Sequence, residues 1–490
     1  MSKVIVVGAG PSGMMAALTA SKNHEVILIE RNNELGKKLK LTGGRCNITN
    51  NRDIDEFFDK VVNNKKFLYS SFYTFTNADL LNYFSSKNLE YKVEESNDHK
   101  VYTKSDKATE VIDILEEDLI QNNVKIMYNT KVIDLIVKDD TVSGVITDDN
   151  KNIYADKVII STGGKSYEST GSDGLMYDIL QKHNHTLNKL YPALSPLTIE
   201  ENWIKNLQGI SLQKVEISCK IKKKKISKIG DMLFAHFGIT GPVVLIMSSY
   251  INKLLENDKV TLTIDCLPNV SAEDLSKALR ENPNKNVLNN LKGILPQNFL
   301  KGIFDVLDLS DKKANELSKK DENRIIEYLK NMQLTCNGCL GIKASMVTSG
   351  GISVKEINSS TMESKIIKNL LNVLYDIYIQ ERSVNNLGTL SIKKSILSIL
   401  GEEANLNIDN IDFLEQMSNY IIKIRKYAIN KKTYNLNSDP RNLIKYNEGD
   451  IVSDAILNKI QINSKELQDN ILHMKVKSKS GEYNFKFRRA

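Results

Sequence analysis

Apolar positions fall in blocks of different period along the chain, and each block predicts an element. Residues 4–7 (Val-Ile-Val-Val) are an unbroken apolar run, as in a strand buried on both faces. Residues 14–22 suit a helix, and residues 26–29 (Val-Ile-Leu-Ile) predict a second buried strand. Over residues 108–121, Val111, Ile112, Leu115, Leu119 and Ile120 share one helical face. Residues 131–137 and 142–147 alternate as strands of a hairpin turning around 138–141. Strand patterns return at 215–221 and 260–264. Leu275, Leu279, Leu288, Leu291 and Leu295 then mark a helical stretch within 270–335.

Pro192 and Pro196 disfavour helix before them and mark a boundary. The expected layout is an α/β domain over 1–193, an inserted β-rich domain over 194–268 and a helical segment over 269–343. The chain returns to the first domain over 344–370, and an α-rich extension over 371–490 follows. Within it, 392–400 and 413–428 read as helices, and 474–489 as two short strands about 479–482.

The junction of the first strand and helix carries chemistry. Gly8, Gly10 and Gly13 form G-x-G-x-x-G between a strand and a helix, and Glu30 ends the next strand. Gly8 suits a tight turn, Gly10 a close approach of backbone to a pyrophosphate, and Gly13 close helix–strand packing. The helix N-terminus offers N–H groups and a positive dipole end to phosphates. Glu30 can accept from a ribose hydroxyl. This is a dinucleotide fingerprint in its full structural context.

Composition is that of an ordinary globular protein: 490 residues, 41% hydrophobic, 26% charged, formal net charge +7. The densest basic run, residues 220–228, reads as a solvated hairpin more readily than as a nucleic-acid or membrane surface. Five cysteines, an odd and sparse set, point to a reducing, cytoplasmic setting and no disulfide framework. Cys336 and Cys339 are spaced C-x-x-C without a second pair, so neither zinc nor redox work is expected of them, and no metal site is expected elsewhere. The apolar start is broken by Gly8, Gly10 and Pro11, unlike a signal peptide, and no stretch is long enough for a transmembrane helix.

A second glycine cluster, residues 36–50, reads GKKLKLTGGRCNITN. It suits a loop wrapping a large anionic or planar ligand, with Arg45 placed for a phosphate or carboxylate and Cys46 as a small packed residue. This run resembles the signature of the aminoacetone-oxidase-like (BaiN-type) family of FAD-dependent oxidoreductases. Further stretches are similar in the right order: 158–174 (VIISTGGKSYESTGSDG), 230–242 (GDMLFAHFGITGP), 264–268, 346–357 and 361–365. The resemblance covers about residues 1–370. It implies a Rossmann-like FAD-binding domain with a parallel sheet, an inserted β-rich domain and a small helical domain. It places FAD along Gly8, Gly10, Pro11, Ser12, Gly13, Glu30, Arg31, Lys38, Gly43, Gly44, Arg45, Cys46, Asn47, Thr162, Gly163 and Gly164. NAD(P)H is the implied transient reductant, because no second G-x-G-x-x-G is present, and the acceptor is a small molecule.

The chain departs from that family after Leu370. The Gly-Gly turn that closes over the flavin is missing, and with it the last strand of the sheet is expected to be lost. The alternatives are therefore a non-catalytic product of a fused or disrupted gene, or an FAD-dependent enzyme acting on RNA. Tyr167 and His236 are the catalytic candidates. His236, among Phe234, Phe237 and Gly238, reads as a core histidine before a proton donor. His24, His183 and His185 read as surface residues.

Overall fold

The computed structural model describes residues 1–41 and 44–372, together with the backbone of 461–468, 471–478 and 481–488. The helices expected at 392–400 and 413–428 lie outside the described residues.

At the centre is a five-stranded, wholly parallel sheet built from β1 (Lys3–Val7), β2 (Glu25–Ile29), β6 (Lys125–Met127), β10 (Lys157–Ile160) and β19 (Leu370–Asn372). Its order is β19-β10-β1-β2-β6. Val4 to Val7 are buried because β1 is flanked on both sides, by β10 and β2, and covered by helices. Helix α1 (Pro11–Ala20) is buried from Gly13 to Ala20, which is why it is apolar nearly all round. It begins three residues before the apolar pattern does, because Pro11 occupies the first helical position, where a missing N–H costs nothing. The helix Ala108–Gln121 has the expected bounds. The sheet keeps its last strand: β19 pairs in parallel with β10 through Leu370 and Val158, correcting the expected loss.

Smaller sheets flank this core. β3 (Asn47–Asn50), β5 (Lys100–Thr103) and β4 (Tyr91–Glu94) form one antiparallel sheet. β7 (Val132–Lys138), β8 (Thr141–Thr147) and β9 (Asn152–Tyr154) form a meander. β11 (Leu187–Ala193) and β18 (Val347–Ile352) pair antiparallel where the inserted domain leaves and rejoins the first.

The insert is a closed barrel of β12 (Leu197–Ile199), β13 (Ser211–Ile221), β14 (Lys224–Ala235), β15 (Gly238–Thr240), β16 (Val260–Asp265) and β17 (Met332–Cys339). Here the structure differs from the expected layout. Residues 332–339, assigned to a helical segment, are the strand that closes the barrel against β12 and β16. The helices Ala272–Arg280, Gln297–Leu307 and Lys319–Lys330 pack on the same hydrophobic core as the strands, so the β-rich and helical pieces share one interior. Lys330 ties the last helix down by donating to Leu267 O (2.7 Å) and Val270 O (2.9 Å) and pairing with Asp265. The basic run lies on the β13–β14 hairpin, with exposed lysines at its tip.

The C-terminal unit contains β20 (Gln461–Gln468), β21 (Ile471–Ser478) and β22 (Gly481–Arg488), an antiparallel meander. Among the described residues, no helix is long and apolar enough to cross a membrane.

Candidate functional site

The end of β1 turns on Gly8, whose φ of +97° favours glycine. A Cβ there would lie 2.8 Å from Ser161 O, so the turn fits only because the side chain is absent. At Gly13 a Cβ would lie 1.8 Å from Gly8 O, which accounts for the close helix–strand approach. Gly10 is different. No atom lies within 4 Å of where its Cβ would be, so it keeps a space open above the helix N-terminus. Ser161 braces the turn from β10, its Oγ 3.0 Å from Val7 O and 3.1 Å from Gly8 O.

Helix α1 has no side-chain cap, so its first N–H groups remain available, and the buried Oγ of Ser12 has no hydrogen-bond partner. Glu30 is buried beside this turn. Its Oε2 accepts from Ala9 N (2.8 Å), and its Oε1 accepts from Asn32 N (2.9 Å) and Nδ2 (2.7 Å). A carboxylate has about four acceptor positions, so one remains for a ligand hydroxyl.

These residues open into a cleft of about 580 Å³. Gly8, Gly10, Pro11, Ser12, Glu30, Arg31, Lys38, Arg45, Asn47, Thr162, Gly163 and Tyr167 line it. Gly13, Gly44, Cys46, Gly164 and His236 lie outside its wall. Gly43 falls outside the described residues. Cys46 is buried, and burial pushes its thiol up to about 12. Gly164 packs instead under Thr348, whose Oγ1 accepts from Lys165 N at 2.9 Å.

One wall is a strap, residues 163–174, clasped to the end of β2. Arg31 donates to Gly171 O (3.2 Å) and pairs with Asp173 (2.5 Å), and Asn32 Nδ2 donates to Thr170 O (3.0 Å). Burial raises the Asp173 carboxyl, but Arg31, the Leu175 N–H and Lys131 together hold it below the usual range. Tyr167 sits in this strap at φ +60°, an outlier for a bulky residue. It is pinned there by Thr170, whose N and Oγ1 both donate to Tyr167 O. Lys38 lies 5.5 Å over its ring and donates to Ser166 O at 3.0 Å.

Arg45 meets carboxylates of the protein itself, not a free ligand position. It pairs with Glu94 and with Asp106 (2.7 Å), and its guanidinium lies 3.9 Å over the Tyr102 ring. The histidine expectations need correction too. His236 is exposed on the β14–β15 turn, edge-on to Phe237 at 5.0 Å, because the hairpin turns its side chain out of the barrel core. His24 is buried against Ser2, His183 meets Asp134 at 2.9 Å, and His185 is fully buried. Sequence reasoning missed Ser161, Asn32, Met346 and Val347. Ser161 had a signal, a polar residue ending the apolar run of β10, and Met346 and Val347 open the stretch 346–357 that resembles the family, without being named as site residues.

The family model described as the HI0933-like protein Rossmann domain matches residues 2–373. The chain belongs to the HI0933-like family. This is the family of FAD-dependent oxidoreductases, aminoacetone-oxidase-like, that the sequence motifs resemble, and the chain is accordingly an enzyme of oxidoreductase type. The family match spans the Rossmann-like domain and the barrel and ends just past β19. The chain is 28% identical over 384 residues to the 3-dehydro-bile acid delta(4,6)-reductase of Clostridium scindens, covering 74% of this chain and 90% of that protein. It is 26% identical over 370 residues to the ribosomal RNA dihydrouridine synthase of Escherichia coli, covering 75% of this chain and 89% of that one. Among solved structures, 3-ketosteroid delta1-dehydrogenase from Sterolibacterium denitrificans aligns with a TM-score of 0.43 at 12% identity, over 82% of this chain and 100% of that chain.

Proposed function

We propose that the protein binds FAD in this cleft and passes hydride from NAD(P)H, by way of the flavin, to a small organic acceptor. The observation that carries the reading is the cradle at Gly10. An open space, an uncapped helix N-terminus and the orphan Ser12 hydroxyl converge where a pyrophosphate would lie, with Glu30 holding one acceptor position for the adjoining ribose. When bound, FAD supplies a two-electron hydride carrier. The protein's part is binding and orientation: Gly10 and α1 for the phosphates, Glu30 for the ribose, and the strap 163–174 as a wall.

The names of the two relatives point to an acceptor with a carbon–carbon double bond conjugated to a carbonyl. Saturating that bond takes one hydride from NAD(P)H and one proton from solvent, and leaves NAD(P)⁺. With no second dinucleotide fingerprint, the nicotinamide docks transiently in the flavin cleft. Five free thiols among the described residues suit a reducing, cytoplasmic compartment.

The test is an absorbance spectrum of the purified full chain, with the released flavin identified after denaturation, followed by anaerobic NAD(P)H. Stoichiometric FAD that bleaches with NAD(P)H is expected. A colourless chain that takes up no added FAD defeats the reading.

A second reading, action on RNA, is favoured by the exposed lysines of the β13–β14 hairpin and by the name of the Escherichia coli relative. It requires an RNA affinity that falls steeply with salt and is lost when those lysines are replaced. Unchanged RNA binding by such a variant removes it.

A further inference from the structure

We propose that Arg45 is a stacking platform and not an anion receptor: held flat by Tyr102, Glu94 and Asp106, it offers its other face to the isoalloxazine ring of the dinucleotide. This deepens the flavoprotein reading and rests on it. Arg45 comes two residues before β3, and Asn47 of β3 stands opposite Tyr102 of β5 in the ladder. That register brings the Arg45 guanidinium 3.9 Å over the Tyr102 ring. The loop before Arg45 is tied to the start of the helix Ala108–Gln121, where Ala108 N donates to Gly44 O at 2.7 Å. Arg45 and Tyr102 both line the cleft.

The edges of the guanidinium are committed within the protein. Its Nε donates to Asp106 (2.7 Å) and its Nη2 to Glu94. Each carboxylate is engaged through its second oxygen as well, Glu94 by Asn97 Nδ2 (2.9 Å) and Asp106 by Lys92 Nζ (2.5 Å). Asp106 is itself set in place at φ +60°, in the turn after β5, where its N donates to Thr103 O at 3.1 Å. A phosphate could reach Arg45 only by displacing a carboxylate that already has two donors. The acids also balance Arg45 and Lys92, so the array holds no net charge to attract one. Even so, the Arg45 side chain keeps 37% of its surface exposed. A guanidinium caged at its edges and seated on one ring has its flat face left to offer, and planar cations stack on aromatic rings. The position suits that use. Glu30 stands at the end of β2, whereas Arg45 and Tyr102 belong to the small sheet of β3, β4 and β5, a separate wall of the same cleft. With the pyrophosphate at Gly10 and the adenosine ribose at Glu30, the second ring system of the dinucleotide falls to this wall. Because the platform is already assembled, the ring meets it without ordering a long side chain.

The experiment is a calorimetric titration of the full chain, freed of bound flavin, with FAD and separately with ADP. ADP carries the adenine, the ribose and the pyrophosphate but not the isoalloxazine, so the ratio of the two affinities reads the ring contact alone. Tyr102→Leu should raise the FAD Kd about tenfold, the scale of one desolvated guanidinium–ring contact, and leave the ADP Kd within about twofold. Tyr102→Phe keeps the ring beneath Arg45 and should restore both values. Arg45→Lys keeps the charge and loses the plane, so FAD should weaken about tenfold and ADP should not. A wild-type ratio of the two affinities in either Tyr102→Leu or Arg45→Lys overturns the proposal, whether both ligands weaken together or neither does. A wild-type chain that binds ADP and not FAD, or neither, overturns the flavoprotein reading itself, and this proposal with it.

Discussion

Nδ1 of the fully buried His185 lies 3.2 Å from the Glu356 carboxylate, and its Nε2 lies 3.0 Å from Ser364 Oγ. The contact clips the returning segment to the start of β11, since Glu356 also accepts from Thr186 N at 2.9 Å. Burial holds the His185 imidazole below its ordinary value, against the pull of Glu356, and the nearby His183 adds to the lowering. The folded protein therefore binds this proton less readily than the unfolded chain, and stability must fall as pH drops below about 6.5. The Glu356 carboxyl is held low by Thr186 and His185 against its burial, so its contribution is present above the ordinary carboxylate range and lost in acid. Urea midpoints followed by circular dichroism should decline between about pH 7 and pH 5. His185→Gln, which cannot titrate, should flatten that decline, and a variant with the same slope as the wild type would remove His185 as its source.

Gly10 and Gly13 should fail in different ways. Gly10→Val places its side chain in open space, so the thermal midpoint should hold while flavin content vanishes. Gly13→Ala drives a Cβ into Gly8 O and should cost about 3 kcal/mol of stability or more, beyond ordinary overpacking. Flavin content and thermal melts on both variants separate a ligand space from a packing contact. Normal flavin in Gly10→Val would refute the assignment of the first turn.

Glu30 joins the first turn to the end of β2 through three accepted hydrogen bonds. Glu30→Ala should leave Ala9 N without its acceptor and destabilise the fold by about 1.5–3 kcal/mol, the range for a charged hydrogen bond. FAD affinity should fall about tenfold or more with it. Glu30→Gln should retain more of both, because an amide oxygen still accepts. Equal flavin affinity in all three proteins would show that Glu30 serves the turn and not the ligand.

The cysteines should be silent. Burial pushes the thiols of Cys336 and Cys339 up to about 12, and Cys219 to about 11, so the thiolate is scarce at neutral pH. Native protein should react slowly with a thiol reagent and release all five thiols on unfolding. Dithiothreitol should not change flavin content. Rapid native labelling of the C-x-x-C pair would instead make β17 a redox strand.

How much was legible in the sequence depended on whether a residue's partner lay near it along the chain. β1, β2 and the helix Ala108–Gln121 could be read because burial imposes a period on consecutive residues. β17 alternates well enough, with Met332, Leu334 and Cys336 buried, yet it follows helices and has no hairpin turn to announce it. Its partner β12 is 139 residues away at the Thr198–Asn337 contact. His185 looked like a surface residue for the same reason: Glu356, which satisfies it, is 171 residues distant. Gly8, Gly10 and Gly13 were readable as a ligand turn because their spacing carries the geometry by itself. The clasp of the strap over the cleft was not, since Arg31 and Asn32 meet residues 170–173 only in the folded chain.

That distance has a consequence for the order in which the molecule is made. The glycine turn is synthesised well before its brace, since Ser161 lies 153 residues after Gly8. Until β10 arrives, β1 has an open edge on that side, and the edge of β10 is covered only when β19 has been synthesised. All the barrel strands are synthesised during the same interval, since β17 precedes β19. A nascent chain halted before residue 157 would carry the whole fingerprint with neither the turn held nor the strap above it. On the flavoprotein reading, the complete cradle exists only once β10 is in place. Free FAD becomes a ligand that rewards completed chains and gives nothing to partial ones, much as binding stabilises only the state that has the site.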